Sequence, residues 1–216
     1  MENIEKILTG ITVNTQSSIR LTDGTKVLYA DPLEISGEPH DADLIFITHA
    51  HGDHFSPADI AKLVKNSTVL VAPESMADQV RDIADGRQVV AVVPGKAYEA
   101  DGVAFETVPA YNKLKPFHPK KNVWVGYVVT VDGARVYIAG DTDATSEAAA
   151  VRCDIALVPV GGTYTTTASE AAALVNRMKP AVAIPIHYGT IVGKPGDGDK
   201  FAGDVDPEIT VVKKLS

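Results

Sequence analysis

Thr48-His49-Ala50-His51-Gly52-Asp53-His54 follows directly on an apolar run at residues 44–47. It packs three of the chain's six histidines and a carboxylate into residues 49–54. At the end of a strand, side chains at i and i+2 face the same side, so His49 and His51 can converge on one ion. Asp53 and His54 then point to a second position nearby. Imidazole and carboxylate together suit Zn²⁺ and also accept Mn²⁺ or Fe. The bland alternative, a polar and solvated start to a helix, leaves the clustering of histidines unexplained.

Outward from this stretch the pattern alternates short β-type runs with a few helical ones. Residues 11–13, 18–21 and 26–29 read as strands, with Asp23-Gly24 as the turn between the last two. Residues 44–48 form a strand that ends at the histidines. Ser56-Pro57-Ala58-Asp59 reads as a helix start, with a capping serine, a proline in the first turn and an acid at the positive end of the dipole. A strand at 69–72 and a helix at 74–84, stopped near Gly86, come next. Further strands are expected at 89–93, 103–108, 123–131, 134–139, 155–159 and 182–186, with Asp132-Gly133 as a hairpin turn. Thr167 and Glu170 form a capping pattern before a helix that runs through Met178. The polar, lysine-rich segment 111–122 reads as a loop. Segment 193–203, rich in glycine and aspartate, reads as a mobile one. Helices separated by groups of strands imply mixed α/β layers around one core.

Composition bounds the function. The chain has 216 residues, 45% hydrophobic and 22% charged, which is ordinary for one globular domain. No stretch approaches the ~18 apolar residues of a membrane span, and the N-terminal MENIEKILTG lacks the long apolar run of a signal peptide. A net charge of −8 argues against a nucleic-acid partner. The single cysteine, Cys153, excludes an internal disulfide and fits a reducing, cytoplasmic compartment. It lies in an apolar run and reads as a buried, inert thiol.

Two further candidates carry chemistry. Ala139-Gly140-Asp141-Thr142-Asp143 ends a strand on Asp141, a carboxylate whose two oxygens can bridge two ions. Pro185-Ile186-His187-Tyr188-Gly189 places His187 at another strand end. Each is ambiguous alone, since Gly-Asp-Thr-Asp is a common turn and a lone histidine is often structural. His40 has no obvious partner and reads as surface.

The order His-x-His-x-Asp-His, then Gly-Asp-Thr-Asp, then a late strand-end histidine resembles the metallo-β-lactamase-fold superfamily of metallohydrolases. The resemblance covers most of the chain. It includes Tyr29-Ala30-Asp31-Pro32, which looks like the element ahead of the first motif in the ascorbate-6-phosphate-lactonase-like branch. It implies a four-layer αββα sandwich, residues 1–216 as a single domain, with the metals at one edge of the two sheets. It also implies His49 and His51 on a first metal, Asp53, His54 and His187 on a second, and Asp141 between them. One departure stands out. The family's third histidine for the first metal is missing at the matching strand end, Val108-Pro109-Ala110-Tyr111-Asn112. The histidine available in that interval is His118, within the loop, which must fold back to deliver it.

The activity so implied is metal-dependent hydrolysis of a small ester, lactone or phosphodiester by a metal-bound hydroxide, with one or two ions, Zn²⁺ first. Asp53 would orient the attacking water. Tyr188 or Tyr111, each beside a presumed ligand, would donate a hydrogen bond to the developing oxyanion. Lys113, Lys115, Lys120 and Lys121 would give the loop a positive rim that draws an anionic substrate. The partner is then a small molecule. A homo-oligomer is compatible with the sequence, though no residue demands one. The alternative is a mononuclear or non-catalytic metal-binding protein, a sensor for instance, whose first site is incomplete without His118. A di-iron redox enzyme on the same fold would need an electron-carrier domain for which this length leaves no space.

Overall fold

The computed structural model describes residues 2–215. Two sheets face each other, and each keeps its strands in chain order. The first comprises β1 (Ile11–Val13), β2 (Ile19–Thr22), β3 (Val27–Ala30), β4 (Ala42–Phe46), β5 (Val64–Pro73) and β6 (Val89–Val92). It is antiparallel from β1 to β3 and parallel from β3 to β6. The second comprises β7 (Ala97–Ala100), β8 (Val103–Pro109), β9 (Val125–Val131), β10 (Ala134–Ile138), β11 (Ile155–Pro159), β12 (Val182–Ile186) and β13 (Thr210–Val211). It is antiparallel from β7 to β10 and parallel from β10 to β13. The helices are α1 (Glu2–Gly10), α2 (Pro57–Leu63), α3 (Ala77–Ile83), α4 (Ser146–Ala149), α5 (Ala168–Met178) and α6 (Asp197–Asp204).

Strand alternation builds the layers. In β4, Leu44 and Phe46 point between the sheets, where they meet Phe105, Tyr127 and Ile184. Ile45 and Ile47 point the other way and pack with Ile60, Leu63 and Val80 under α2 and α3. On the far side of the second sheet, Tyr137, Ala156 and Val158 pack against Leu174, Val175 and Phe201 of α5 and α6. The result is the expected αββα sandwich, whose packing rests on a two-residue side-chain period. Ser56 caps α2 by accepting from the Asp59 amide, with Pro57 as its first residue, and Thr167 and Glu170 close a capping box on α5.

Several elements differ from expectation. Segment 193–203 is not simply a loop, because α6 occupies its second half. Phe201 is fully buried beneath it, and Asp197 and Asp199 sit in its first turn, so tertiary burial outweighs the poor helix propensity of glycine. The helix expected at 74–84 divides into a 3-10 turn, Glu74–Met76, and α3. Short elements α1, α4, β7 and β13 were not signalled, although α1 buries Ile7 against the inter-sheet core. Among the described residues no helix is long and apolar enough to cross a membrane.

The two sheets close on each other where their strands deliver the chemistry. The C-terminal ends of β3, β4, β8, β10 and β12 lead into Asp31, Thr48, Asn112, Asp141 and His187. Gly140 adopts φ 63°, and a Cβ there would lie 3.1 Å from the Thr48 Cβ and 3.2 Å from the Val125 carbonyl. From β9 the buried Tyr127 hydroxyl donates to the Ile47 carbonyl at 2.7 Å, one residue before the histidine stretch. That bond joins the second sheet to the first. Tyr127→Phe leaves the Ile47 carbonyl buried without this partner, and should lower unfolding free energy by about 1–3 kcal/mol in urea denaturation. A midpoint and slope identical to wild type would show that the bond contributes nothing.

Candidate metal centre

The structure brings His49, His51, Asp53, His54, His118, Asp141 and His187 into one cluster. Three groups within it hold donor atoms within 4.8 Å of one another: His49, His51 and His118; His49, His54 and Asp141; and Asp53, His54 and His187. Donors bound at 2.0–2.1 Å around a tetrahedral ion lie about 3.3 Å apart. His49 Nε2 and His51 Nδ1 are 3.1 Å apart. Asp53 Oδ2 lies 3.5 Å from His54 Nε2 and 3.3 Å from His187 Nε2.

Asp141 stands between the groups. Its Oδ1 is 3.3 Å from His54 Nε2 and 3.4 Å from His187 Nε2, whereas its Oδ2 is 3.2 Å from His118 Nε2. Each oxygen therefore faces a different set of imidazoles. His49, His54, His118, Asp141 and His187 are buried, while His51 and Asp53 are partly open to solvent. His54 Nε2, His118 Nε2 and Asp141 Oδ1 are buried and have no hydrogen-bond partner. Such atoms are rare in folded proteins. Lone pairs converging at ligand spacing fit a cation.

A surrounding set of hydrogen bonds fixes which nitrogen faces inward. Asp31, at φ 45°, accepts from the Thr48 amide at 2.8 Å, the Thr48 hydroxyl at 2.6 Å and His54 Nδ1 at 2.7 Å. Because the Thr48 hydroxyl donates to Asp31, its oxygen accepts from His49 Nδ1 at 2.9 Å. Asn112 uses its amide nitrogen on Asp143 and the Tyr164 carbonyl, so its oxygen accepts from His118 Nδ1 at 3.1 Å. In all three rings Nδ1 is the donor, which leaves Nε2 free as a ligand.

Charge follows the same plan. Burial, then His54, holds His49 well below its usual range and hence neutral. Burial opposes ionisation of Asp141, yet His187, His54 and His118 hold its carboxyl well below the ordinary range. Burial also opposes a charge on His54, but Asp141, Asp31 and Asp53 outweigh it and raise that imidazole to about 9. A cation held here would displace the proton that His54 otherwise carries.

The loop does deliver His118. Asn112 and His118 close it on themselves, with the Asn112 amide donating to the His118 carbonyl at 2.8 Å and the His118 amide to Asn112 Oδ1 at 3.1 Å. Asp143 anchors it, accepting from Asn112 Nδ2 at 3.0 Å, the Lys113 amide at 2.9 Å and Lys115 Nζ at 2.9 Å. The convergence of His49 and His51 comes from the turn after β4 rather than from strand alternation, since β4 ends at Phe46.

Residues 10–187 match the model of the beta-lactamase superfamily domain. The chain belongs to this superfamily. A UPF0173 metal-dependent hydrolase of Thermococcus onnurineus is 33% identical over 207 residues, spanning 88% of this chain and 90% of that protein. A crystallised protein of Parabacteroides distasonis, named as a candidate metal-dependent hydrolase, is 30% identical with a TM-score of 0.79, covering 95% of this chain and 93% of its own. The chain is an enzyme of the metal-dependent hydrolase class. CmlA, a diiron β-hydroxylase of Streptomyces venezuelae, shares the fold alone, with a TM-score of 0.78 at 13% identity over 52% of its length. The fold by itself therefore does not select the metal.

Two expectations fail within this metallohydrolase, and a third holds only in part. Tyr188 does not face the centre. Its ring packs under α6, where the hydroxyl sits against Gly198 and near Lys213, so the catalytic role given to it is withdrawn. Tyr111 is likewise engaged elsewhere, its hydroxyl donating to Glu147 at 3.0 Å. Half of the lysine rim is tied down, Lys115 by Asp143 at 2.9 Å and Lys120 by Glu147 at 2.8 Å, while Lys113 and Lys121 are exposed. His40 is on the surface, where Nδ1 lies 3.0 Å from the Val64 carbonyl. Cys153 is half-buried, and burial pushes its thiol up to about 12, which keeps it inert.

Trp124 was not signalled at all. Its ring centroid lies 5.0 Å from those of His49 and His51, and 5.6 Å from that of His118. It walls the first donor group, held there by Val123 at φ 51°, a conformation costly for a β-branched residue.

Asp31 supports two imidazoles without reaching the donor positions, and asparagine tolerates its left-handed backbone. Asp31→Asn should weaken zinc binding about 10- to 100-fold in chelator competition while leaving the protein folded. Unchanged affinity would remove Asp31 from the account of the centre.

Proposed function

We propose that this enzyme holds two divalent ions, Zn²⁺ first among them, and hydrolyses a small ester, lactone or phosphodiester. The carrying observation is that the two oxygens of Asp141 face separate imidazole sets at 3.2–3.4 Å. In this reading His49, His51 and His118 would hold the first ion and Asp53, His54 and His187 the second, with Asp141 available to both. Bound ions of this kind acidify a water and polarise the carbonyl or phosphoryl oxygen.

The chain's own residues do the rest. Asp53 is ionised, since burial disfavours its charge but the His187 and His54 contacts prevail. It is also partly open to solvent, so with Oδ2 among the imidazoles its other oxygen is left to orient a water. Asp31 and Asn112 hold the rings in place, which preorganises the centre before substrate arrives. Trp124 excludes water from one side of the His49–His51–His118 group. The reading of a sensor with an incomplete first site loses its motive, because His118 lies within ligand spacing of its partners.

Elemental analysis of protein purified without chelator tests this assignment. Wild type should carry two equivalents per chain, His118→Ala about one, and Asp141→Ala less than one, with hydrolysis lost in Asp141→Ala. One equivalent in both wild type and His118→Ala would contradict the binuclear reading.

A further inference from the structure

The donor cluster opens into a cavity of about 460 Å³, within the range of small-molecule sites. His51, Asp53, His118 and Asp141 form one part of its lining. The other part is Phe117, Tyr164, Ile191 and Val192, and it contains no cation. Three of these are conspicuously exposed for their type: Phe117 at 41%, Tyr164 at 37% and Ile191 at 58%. Single exposed apolar residues are ordinary. Here the distribution matters. Among the described residues, the only other exposed large apolar side chains are Leu114 and Val123. Both belong to the segment that carries Phe117 and His118.

None of the four belongs to the hydrophobic core clusters. The residues come from three separate segments, after β8, after β11 and after β12. Phe117 and Tyr164 meet edge to face, with ring centroids 4.6 Å apart, so two of the segments form one continuous surface. Two of the four lysines of that loop are spent. Lys115 is held by Asp143 and the Thr165 carbonyl, and Lys120 by Glu147. A polar, ligand-rich floor beside an apolar wall matches a molecule with a hydrolysable head and an alkyl or aryl tail. The volume suits a small molecule rather than a macromolecule.

We infer that the enzyme selects substrates by an apolar tail, an alkyl or aryl group seated against Phe117, Tyr164 and Ile191 while the scissile group reaches the Asp141 centre. The inference rests on the binuclear hydrolase reading above. It adds an apolar determinant beside the exposed Lys113 and Lys121.

Straight-chain alkyl hydroxamates provide a test that does not depend on turnover. Their head group binds zinc and their tails grow one methylene at a time. Titrations of zinc-loaded protein with acetohydroxamate through octanohydroxamate can be followed by the fluorescence of Trp124, the chain's single tryptophan, which stands against the first donor group. Affinity should rise about 2- to 4-fold per added methylene until the cavity is filled. In Phe117→Ala and Ile191→Ser the dependence on chain length should flatten. If all members bind wild type with equal affinity, the tail subsite is wrong. A flat series from a dimer that dissociates in Ile191→Ser would give the wall to a second copy of the chain and overturn the proposal in that way. Failure of every member, acetohydroxamate included, would instead overturn the metal-centre reading on which it rests.

Discussion

The buried Asp31 carboxylate is the constraint on which the centre depends. It accepts three hydrogen bonds, from the Thr48 amide, the Thr48 hydroxyl and His54 Nδ1. One buried anion thus ties the end of β3 to the end of β4 and turns His54 and, through Thr48, His49 towards the donor cluster. Removing such a group leaves its former partners without an acceptor in a region of low dielectric, where unpaired polar groups are costly. Across the sandwich, Tyr127 holds the Ile47 carbonyl, so the same short segment is pinned from both sheets. The histidine stretch is irregular in backbone and still held in place, because every residue leading into it is fastened to a strand.

Local patterning made much of this legible. The period-two runs marked the main strands, the Ser56 and Thr167 caps marked two helices, and the density of histidines at 49–54 marked the centre. Asp141 and His187 were ambiguous as isolated residues, and the order of motifs along the chain singled them out. What stayed hidden depends on contacts between distant segments. His118 belongs to a loop with no period, and Asn112 and Asp143 determine its position. Trp124 carries no motif, and its ring lies against the histidines just after Val123, which adopts φ 51°. Tyr188 misled for a related reason. Adjacency to His187 in sequence says nothing of direction, and the ring turned instead into the space under α6.

Charge and polarity around the centre divide the labour. The interior holds a neutral His49 and an ionised Asp141, with a proton on His54 that a bound cation would displace. One wall of the cavity is apolar, and two of the loop's lysines, Lys115 and Lys120, serve as ties to Asp143 and Glu147. Asp143 therefore works as an anchor rather than a ligand, although it lies two residues from Asp141. The same loop brings His118 to the donor cluster and Phe117 to the apolar wall of the cavity.

The central claim is that Asp141 joins two ion positions. Anomalous diffraction at the zinc edge from crystals of the zinc-loaded protein tests it most directly. The account predicts two peaks, one among His49, His51 and His118 and one among Asp53, His54 and His187, with one Asp141 oxygen on each. A single peak, or a pair that Asp141 does not bridge, would contradict it.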